Sequence, residues 1–339
     1  MALFLLTSTG IRMNKLLVIL GPTATGKTDL ALSLAKKFDG ELVSCDSRQV
    51  YVGLDIGTGK MPSVESRIMN QESRVKKTKG FWEIDGIKIW AYDVVDPKIQ
   101  YTVAEYVKEA TKMLADITAR GKLPIVVGGT GFYLKALLLG LPNLSKPVDL
   151  KLRKELEKLS VGELQEKLKA LSPSGLLALN ESDRQNPRRL IRKLELLPER
   201  PTNPYMKVSM VETGLSSEYD VLRIGLTAPR EVLYKNIDLR VLSRLDQGMV
   251  EEAMSLNKNG LTLKRMRQLG LEYGVLAGYL DGKFKDFEEM TTLMQNKIHG
   301  YLRRQQTWFK KEDNVNWMDI TEVEFMETVE NEVAGWYDS

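Results

Sequence analysis

Lys15 to Leu20 (KLLVIL) is an almost unbroken apolar run, the pattern of a strand buried on both faces of a sheet. Gly21 to Thr28 interrupts it as a turn. Leu30, Leu34 and Phe38 then recur at helical spacing, so Asp29 to Phe38 is predicted to be a helix that ends before Gly40. Glu41 to Cys45 reads as the next short strand. Lys88 to Val95 and Leu123 to Val127 give two more, with the helix-periodic segment Val103 to Ile117 between them. Ser63 to Gly80 is polar and basic and is predicted to be a loop. Strands alternating with helices predict a parallel sheet wound by right-handed crossovers.

The texture changes after Pro142. Leu150 to Leu159, Val161 to Leu171, Gly175 to Leu179 and Asn186 to Leu197 carry helical periodicity and few β-branched residues, and Pro198 to Pro204 breaks the pattern. Tyr219 to Leu226 (YDVLRIGL) reads as a core strand again, and the chain is then helical from Arg230 to about Lys311. The economical reading is an α/β core, residues 14–143 and 208–339, holding an all-helical insertion at 144–207. Residues 1–13 read as a disordered tail, or as the product of a start placed too early, with Met13 the true start.

Composition narrows the chemistry. The 49 Lys and Arg are offset by 45 Asp and Glu, which leaves a net charge of +4. That balance excludes a histone-like polycation and permits local basic grooves. One cysteine, Cys45, excludes a disulfide framework or a Cys-rich zinc module and fits a reducing cytoplasm, where the chain is expected to reside. One histidine, His299, makes zinc hydrolysis and a Ser-His-Asp relay poor expectations. No segment offers about 18 uncharged apolar residues, so no membrane partner is expected.

The interruption at Gly21 carries the strongest chemical signal. Gly21, Pro22, Thr23, Ala24, Thr25, Gly26, Lys27 and Thr28 satisfy G-x-x-x-x-G-K-[ST] between a buried strand and a helix, the context this phosphate loop requires. Backbone N–H groups can form an anion nest at the positive end of the helix. Lys27 supplies a point charge, and the Thr28 hydroxyl is a natural Mg²⁺ ligand. The fold expected is a P-loop NTPase-like sheet flanked by helices. The loop does not report which compound it holds, since ATP, GTP and an allylic diphosphate present the same oxygens.

Beyond the loop come Asp46-Ser47-Arg48-Gln49-Val50-Tyr51 and Asp55-Ile56-Gly57-Thr58. Further along are Arg120-Gly121-Lys122-Leu123-Pro124, Val127 to Tyr133 (VGGTGFY), Asn186 to Glu195 (NPRRLIRKLE), Ala228-Pro229-Arg230 and Arg303 to Phe309 (RRQQTWF). This ordered set resembles the tRNA dimethylallyltransferase (isopentenyltransferase) family along nearly the whole chain, in its bacterial type without a zinc finger. It departs from the family pattern at Ile89-Trp90, where a His-His pair is common, and at Gly270-Leu271-Glu272-Tyr273, where Gly-Tyr-Lys or Gly-Tyr-Arg is usual. The family's basic residue ahead of the RQxTW block aligns near His299.

The resemblance implies transfer of a dimethylallyl group from its diphosphate to N6 of the adenosine on the 3′ side of the tRNA anticodon. Asp46, just past the second strand, is then the candidate base for the exocyclic amine; the bland alternative is a helix N-cap. Lys27, Thr23 and Arg240 are implied at the diphosphate. Ser47, Arg48, Gln49 and Thr130 are implied in the channel for the flipped adenosine, with the Gln49 amide able to read an adenine edge. Arg153, Arg188, Arg189, Leu190, Ile191 and Arg192 are implied at the tRNA, against the bland alternative of a solvated basic face. Asp93 is expected to be structural. The chain is expected to act as a monomer on the anticodon stem-loop, with Mg²⁺ as cofactor. Rival readings are a small-molecule P-loop kinase, a prenyltransferase acting on free adenine nucleotides, and a non-catalytic RNA-binding protein.

Overall fold

The computed structural model describes residues 13–61, 74–144, 146, 148–197 and 214–339. The expectations for residues 1–12, for 63–73 of the predicted loop and for the break at Pro198 to Pro204 lie outside the described residues.

The first half of the chain runs β1 (Asn14–Leu20), α1 (Lys27–Lys37), β2 (Gly40–Ser44), β3 (Val75–Thr78), β4 (Gly80–Ile84), β5 (Ile87–Tyr92), α2 (Val103–Ala119), β6 (Leu123–Gly128) and α3 (Gly131–Leu139). Five short helices follow: α4 (Leu150–Leu156), α5 (Val161–Leu171), α6 (Pro173–Leu177), α7 (Glu181–Arg184) and α8 (Pro187–Glu195). The chain then continues through β7 (Tyr219–Thr227), α9 (Arg230–Asp246), α10 (Met249–Lys258), α11 (Leu263–Leu269), α12 (Leu271–Leu280), α13 (Phe287–Phe309), β8 (Asn316–Asp319) and α14 (Phe325–Asp338).

Among the described residues eight strands form one sheet, in the order β3-β4-β5-β2-β6-β1-β7-β8. The pairs from β5 to β8 are parallel, as expected, but β3, β4 and β5 pair antiparallel and make the sheet mixed. The sequence reading missed this meander, which replaces the end of the predicted loop. Lys76 and Lys77 are exposed on the edge strand, so its residues look like loop in composition, and such charges are what keep an edge from pairing further. It also missed β8, a four-residue edge strand that pairs with β7.

Alternation along β1 explains the layering. Leu17 and Ile19 pack with Leu30 and Leu34 of α1 and with Val329 and Val333 of α14 on one face. Leu16, Val18 and Leu20 pack with Tyr106 and Leu114 of α2 and Leu134 of α3 on the other. Every residue of β2 and β6 is buried. Glu41 is tolerated there because Arg120 clamps its carboxylate from Nη1 and Nη2 (2.6 and 2.7 Å) and Trp90 Nε1 donates to it (2.8 Å). Where the family often has two histidines, then, Ile89 fills the core and Trp90 steadies a buried acid. A further apolar cluster joins α9, α10, α12 and α13 to Val50, Tyr51 and Leu54.

The chain divides into two compact units, Met1–Leu139 with Thr213–Ser339, and Gly140–Glu212. The second has its own core of Leu156, Leu164, Leu168, Leu190, Ile191 and Leu194. Each of its helices starts on a polar N-cap, Asp149, Ser160, Ser172, Asn180 or Asn186, whose side chain accepts from the first-turn backbone. Caps of this kind let short helices form where propensity alone would not suffice.

Candidate active site

The parallel register aligns the C-terminal ends of three strands. Leu20 lies beside Gly128, and Ser44 beside Val127, so the turns after β1, β2 and β6 share one edge of the sheet. Ligands of open parallel sheets gather at this edge. Thr130 N donates to Cys45 O (3.3 Å) and Ser47 N to Thr130 Oγ1 (3.3 Å), which ties the second and third turns together.

The first turn is the phosphate loop. Gly26 caps α1 with φ 74°, a left-handed conformation that glycine adopts without strain; turns that pass through this conformation are those whose successive N–H groups form anion nests. Lys27 Nζ lies over the loop, donating to Pro22 O (2.5 Å), an oxygen that also accepts from Thr25 Oγ1 (3.0 Å). Burial, and then the positive charge of Arg240, push the Lys27 amine down to about 7; Asp46 opposes them.

Arg240, on α9, meets the loop from a point 217 residues later: its Nη2 donates to Thr23 Oγ1 (2.6 Å). Its Nε is buried without a protein partner. Burial and the neighbouring Arg244 and Arg48 push its guanidinium down to about 9 while Glu272 and Asp46 pull the other way, so it stays charged at neutral pH. A buried, under-partnered guanidinium beside an anion nest is an anion-binding arrangement.

Asp46 is half-buried and heads a turn, not a helix: its Oδ1 accepts from Arg48 N (2.8 Å). The N-cap alternative is thereby set aside. The carboxylate stands within electrostatic reach of Lys27, Arg240, Arg48 and Tyr301. The structure therefore brings Thr23, Lys27, Asp46, Ser47, Thr130 and Arg240 to one place. Gln49 is directed elsewhere. Its Oε1 accepts from Ser44 Oγ (2.6 Å) and its Nε2 faces Thr58 O and Gly59 O (3.3 and 3.4 Å), so the amide expected to read an adenine edge is spent inside the protein. Arg48 likewise turns its guanidinium to Glu272.

The helical unit corrects part of the tRNA assignment. Leu190 and Ile191 are buried in its core and cannot face RNA, because α8 turns its apolar stripe inward. Arg153 and Arg192 both bind Glu195, and Arg192 also donates to the carbonyls of Asn143 and Lys146 (3.2 and 3.1 Å). Arg189 pairs with Asp183. Arg188 is exposed. Asp93 is structural, as expected: it takes the buried Lys60 amine and accepts from Trp82 Nε1 (2.6 Å).

Sequence reasoning gave no role to Gln305, which bridges two turns by accepting from Thr23 N (2.9 Å) and donating to Gly129 O (2.8 Å). A signal existed. Met290, Met294, Ile298, Leu302 and Phe309 form the buried stripe of α13, and Gln305 is a polar residue set within it. Glu252 was missed as well: its carboxylate accepts from the backbone of Asp55, Ile56 and Gly57 (2.9, 2.8 and 3.2 Å) and anchors the DIGT turn. The residue near the family's basic position, His299, stacks on Tyr234 with ring centroids 4.0 Å apart, and its Nε2 lies 2.9 Å from Asp238.

Known proteins resemble this chain in sequence and in fold. The IPP transferase family model matches residues 49–312, and the isopentenyl transferase model matches 14–75. A tRNA dimethylallyltransferase of Anoxybacillus flavithermus is 37% identical over 94% of this chain and 95% of its own. A second, from Geotalea uraniireducens, is 37% identical over 91% and 93%. Among solved structures, the tRNA isopentenylpyrophosphate transferase of Bacillus halodurans superposes with TM-score 0.64 at 33% identity, covering 95% of this chain and 96% of that one. A eukaryotic dimethylallyltransferase acting on tRNA gives TM-score 0.73 at 25% identity, covering 96% and 79%. With its phosphate loop, Asp46 turn and Arg240 in one place and its relatives matched end to end, this chain belongs to the tRNA dimethylallyltransferase family.

Proposed function

We propose that this chain transfers a dimethylallyl group from dimethylallyl diphosphate to N6 of the adenosine 3′ to the anticodon in tRNA. The observation that carries the reading is the meeting of an anion nest, the buried Arg240 guanidinium and the Asp46 carboxylate at one sheet edge. The family's activity supplies the group transferred and its acceptor.

The chemistry follows from the groups. The N6 lone pair attacks C1 of the dimethylallyl group, the C1–O bond breaks, and the diphosphate leaves with the bonding electrons. The departing charge falls on the loop N–H groups, Lys27 and Arg240, donors already fixed by Thr23, Gln305 and burial. Asp46 accepts the N6 proton that the new N–C bond displaces; its help is needed because the lone pair, delocalised into the purine, makes the amine a poor nucleophile. Asp46 is oriented for this by the Arg48 N–H on its Oδ1.

Mg²⁺ fits the residues present. No cluster of three acidic, His or Cys ligands exists among the described residues, yet Mg²⁺ at phosphate sites needs only one or two protein oxygens, the rest coming from phosphates and water. Thr28, in the first turn of α1, would hold it. When bound it would neutralise diphosphate charge. Among the described residues no helix is long and apolar enough to cross a membrane.

Exposed Arg188 and the ion-paired Arg189 remain the candidates in α8 for phosphate contact along the tRNA backbone. A kinase reading shares the loop, but the relatives do not favour it. Mass spectrometry of tRNA nucleosides from cells with and without this gene tests the proposal. The prenylated adenosine is expected to vanish in the deletion strain and return with the wild-type gene; unchanged modification would refute the reading.

A further inference from the structure

Three guanidiniums gather behind the Asp46 turn. Arg48 comes from the turn itself, and Arg240 and Arg244 come from successive turns of α9. All three are partly buried, the Arg48 and Arg244 side chains 15% and 12% exposed, and Glu272, at the second position of α12, is the acid at their centre, with its side chain only 3% exposed. One carboxylate oxygen takes Arg48 Nη1 and the other lies 3.4 Å from Arg244 Nη1. Arg244 also donates to Gly57 O (3.2 Å), and its Nη2 occupies the space beside Gly59, where an added Cβ would lie 1.8 Å away. The turn at Gly57 to Gly59 is thus shaped around this ion cluster.

Arg48 holds two relations to the candidate base. Its backbone N–H orients Asp46, and its side chain starts two residues from that carboxylate yet turns away to Glu272. After Glu272, the next carboxylate whose charge it feels is Asp46. A guanidinium paired with Asp46 would stabilise the ionised form and make it a weaker base.

We propose that Glu272 is a positioning residue for the transfer reaction: by holding the guanidiniums of Arg48 and Arg244 it keeps the Asp46 carboxylate free to take the amine proton. Glu272 touches neither substrate nor loop in this account. It acts by competing with Asp46 for the same cation. The inference rests on the reading of Asp46 as base in prenyl transfer.

The test compares full-length wild type, Glu272→Gln and the double variant Glu272→Gln with Arg48→Met, using labelled dimethylallyl diphosphate and unmodified tRNA. Glu272→Gln removes the charge at constant shape, and kcat is expected to fall roughly ten-fold or more, with KM for the diphosphate changed less than about three-fold. The double variant removes the cation as well, and its kcat is expected to recover to within about three-fold of wild type. The pH dependence of kcat separates this from a merely structural ion pair: Arg48 released onto Asp46 would move the acidic limb to lower pH in Glu272→Gln and the double variant would return it, whereas a structural pair leaves that limb in place. An unchanged kcat in Glu272→Gln, or a double variant no better than the single one, would overturn the proposal. Should Glu272→Gln fail to fold, Glu272→Asp, which keeps the charge on a shorter side chain and loosens its hold on Arg48, is measured instead: an acidic limb moved to lower pH supports the proposal and an unmoved limb refutes it. A wild-type protein that transfers no prenyl group defeats the functional reading itself, an outcome distinct from both.

Discussion

Arg240 and Arg188 carry the same guanidinium in opposite settings. Arg240 is buried beside the phosphate loop, hydrogen-bonded to Thr23 and pushed down in pKa by its own burial and two neighbouring arginines. Arg188 stands exposed on α8, a helix held by a leucine core and an Asn186 cap. Keeping an arginine charged in the interior costs free energy that only an arriving anion or a buried acid can offset. Keeping one on a solvated helix costs almost nothing. The first arrangement therefore implies a fixed anionic ligand, and the second implies at most a diffuse, salt-sensitive partner.

Substitutions sharpen this contrast. The largest effect is expected at Asp46, the carboxylate facing the buried cations. Asp46→Asn should lower kcat by about 10²–10⁴-fold while tRNA affinity, measured by filter binding, stays near wild type. Arg240→Met should cost roughly 10²-fold in kcat, since it removes one fixed donor for the developing diphosphate charge. Glu195→Ala acts on the other unit. It strips Arg153 and Arg192 of their shared acid and should destabilise that unit by about 1–3 kcal/mol in denaturant titration, with little effect on kcat. The smallest effect belongs to Arg188→Ala, which should reduce the slope of log affinity for tRNA against log salt by about one and leave turnover alone.

Lys27 adds a pH signature to the buried side of the comparison. Its amine is pushed down to about 7 in the free protein, chiefly by burial, so at pH 8 it is largely neutral. A bound diphosphate favours the charged form and raises that value, so binding at pH 8 should take up close to one proton more in wild type than in Lys27→Met. Calorimetry in buffers of different ionisation enthalpy reads the difference. Equal uptake would show that Lys27 does not meet the diphosphate.

The contrast also marks what the sequence discloses. Apolar runs disclosed β1, β2, β5 and β6 to within a few residues; β1, β2 and β6 are buried nearly throughout and leave no ambiguity of face. The phosphate loop was legible because its glycine spacing is dictated by backbone geometry. The meander β3–β4 and the strand β8 were hidden because edge strands carry charges that look like loop. Asp46, Lys27 and Thr23 could be named in advance, and their meeting with Arg240 follows from α9 returning to the loop. Glu272 could not be given a role. Its meaning lies in partners 224 and 28 residues away, a relation that no local period encodes. Leu190 and Ile191 failed for the opposite reason: a motif match marked a whole segment, while helical periodicity assigns those two positions to the core.

The central claim is that the nest gripped by Lys27 and Arg240 holds an isoprenoid diphosphate while Asp46 deprotonates an adenine amine. Purified protein given unmodified tRNA with labelled dimethylallyl diphosphate in one reaction and γ-labelled ATP in another tests it most directly. The account predicts label on the tRNA adenosine from the prenyl donor and none transferred from ATP; phosphoryl transfer without any prenylation would contradict it.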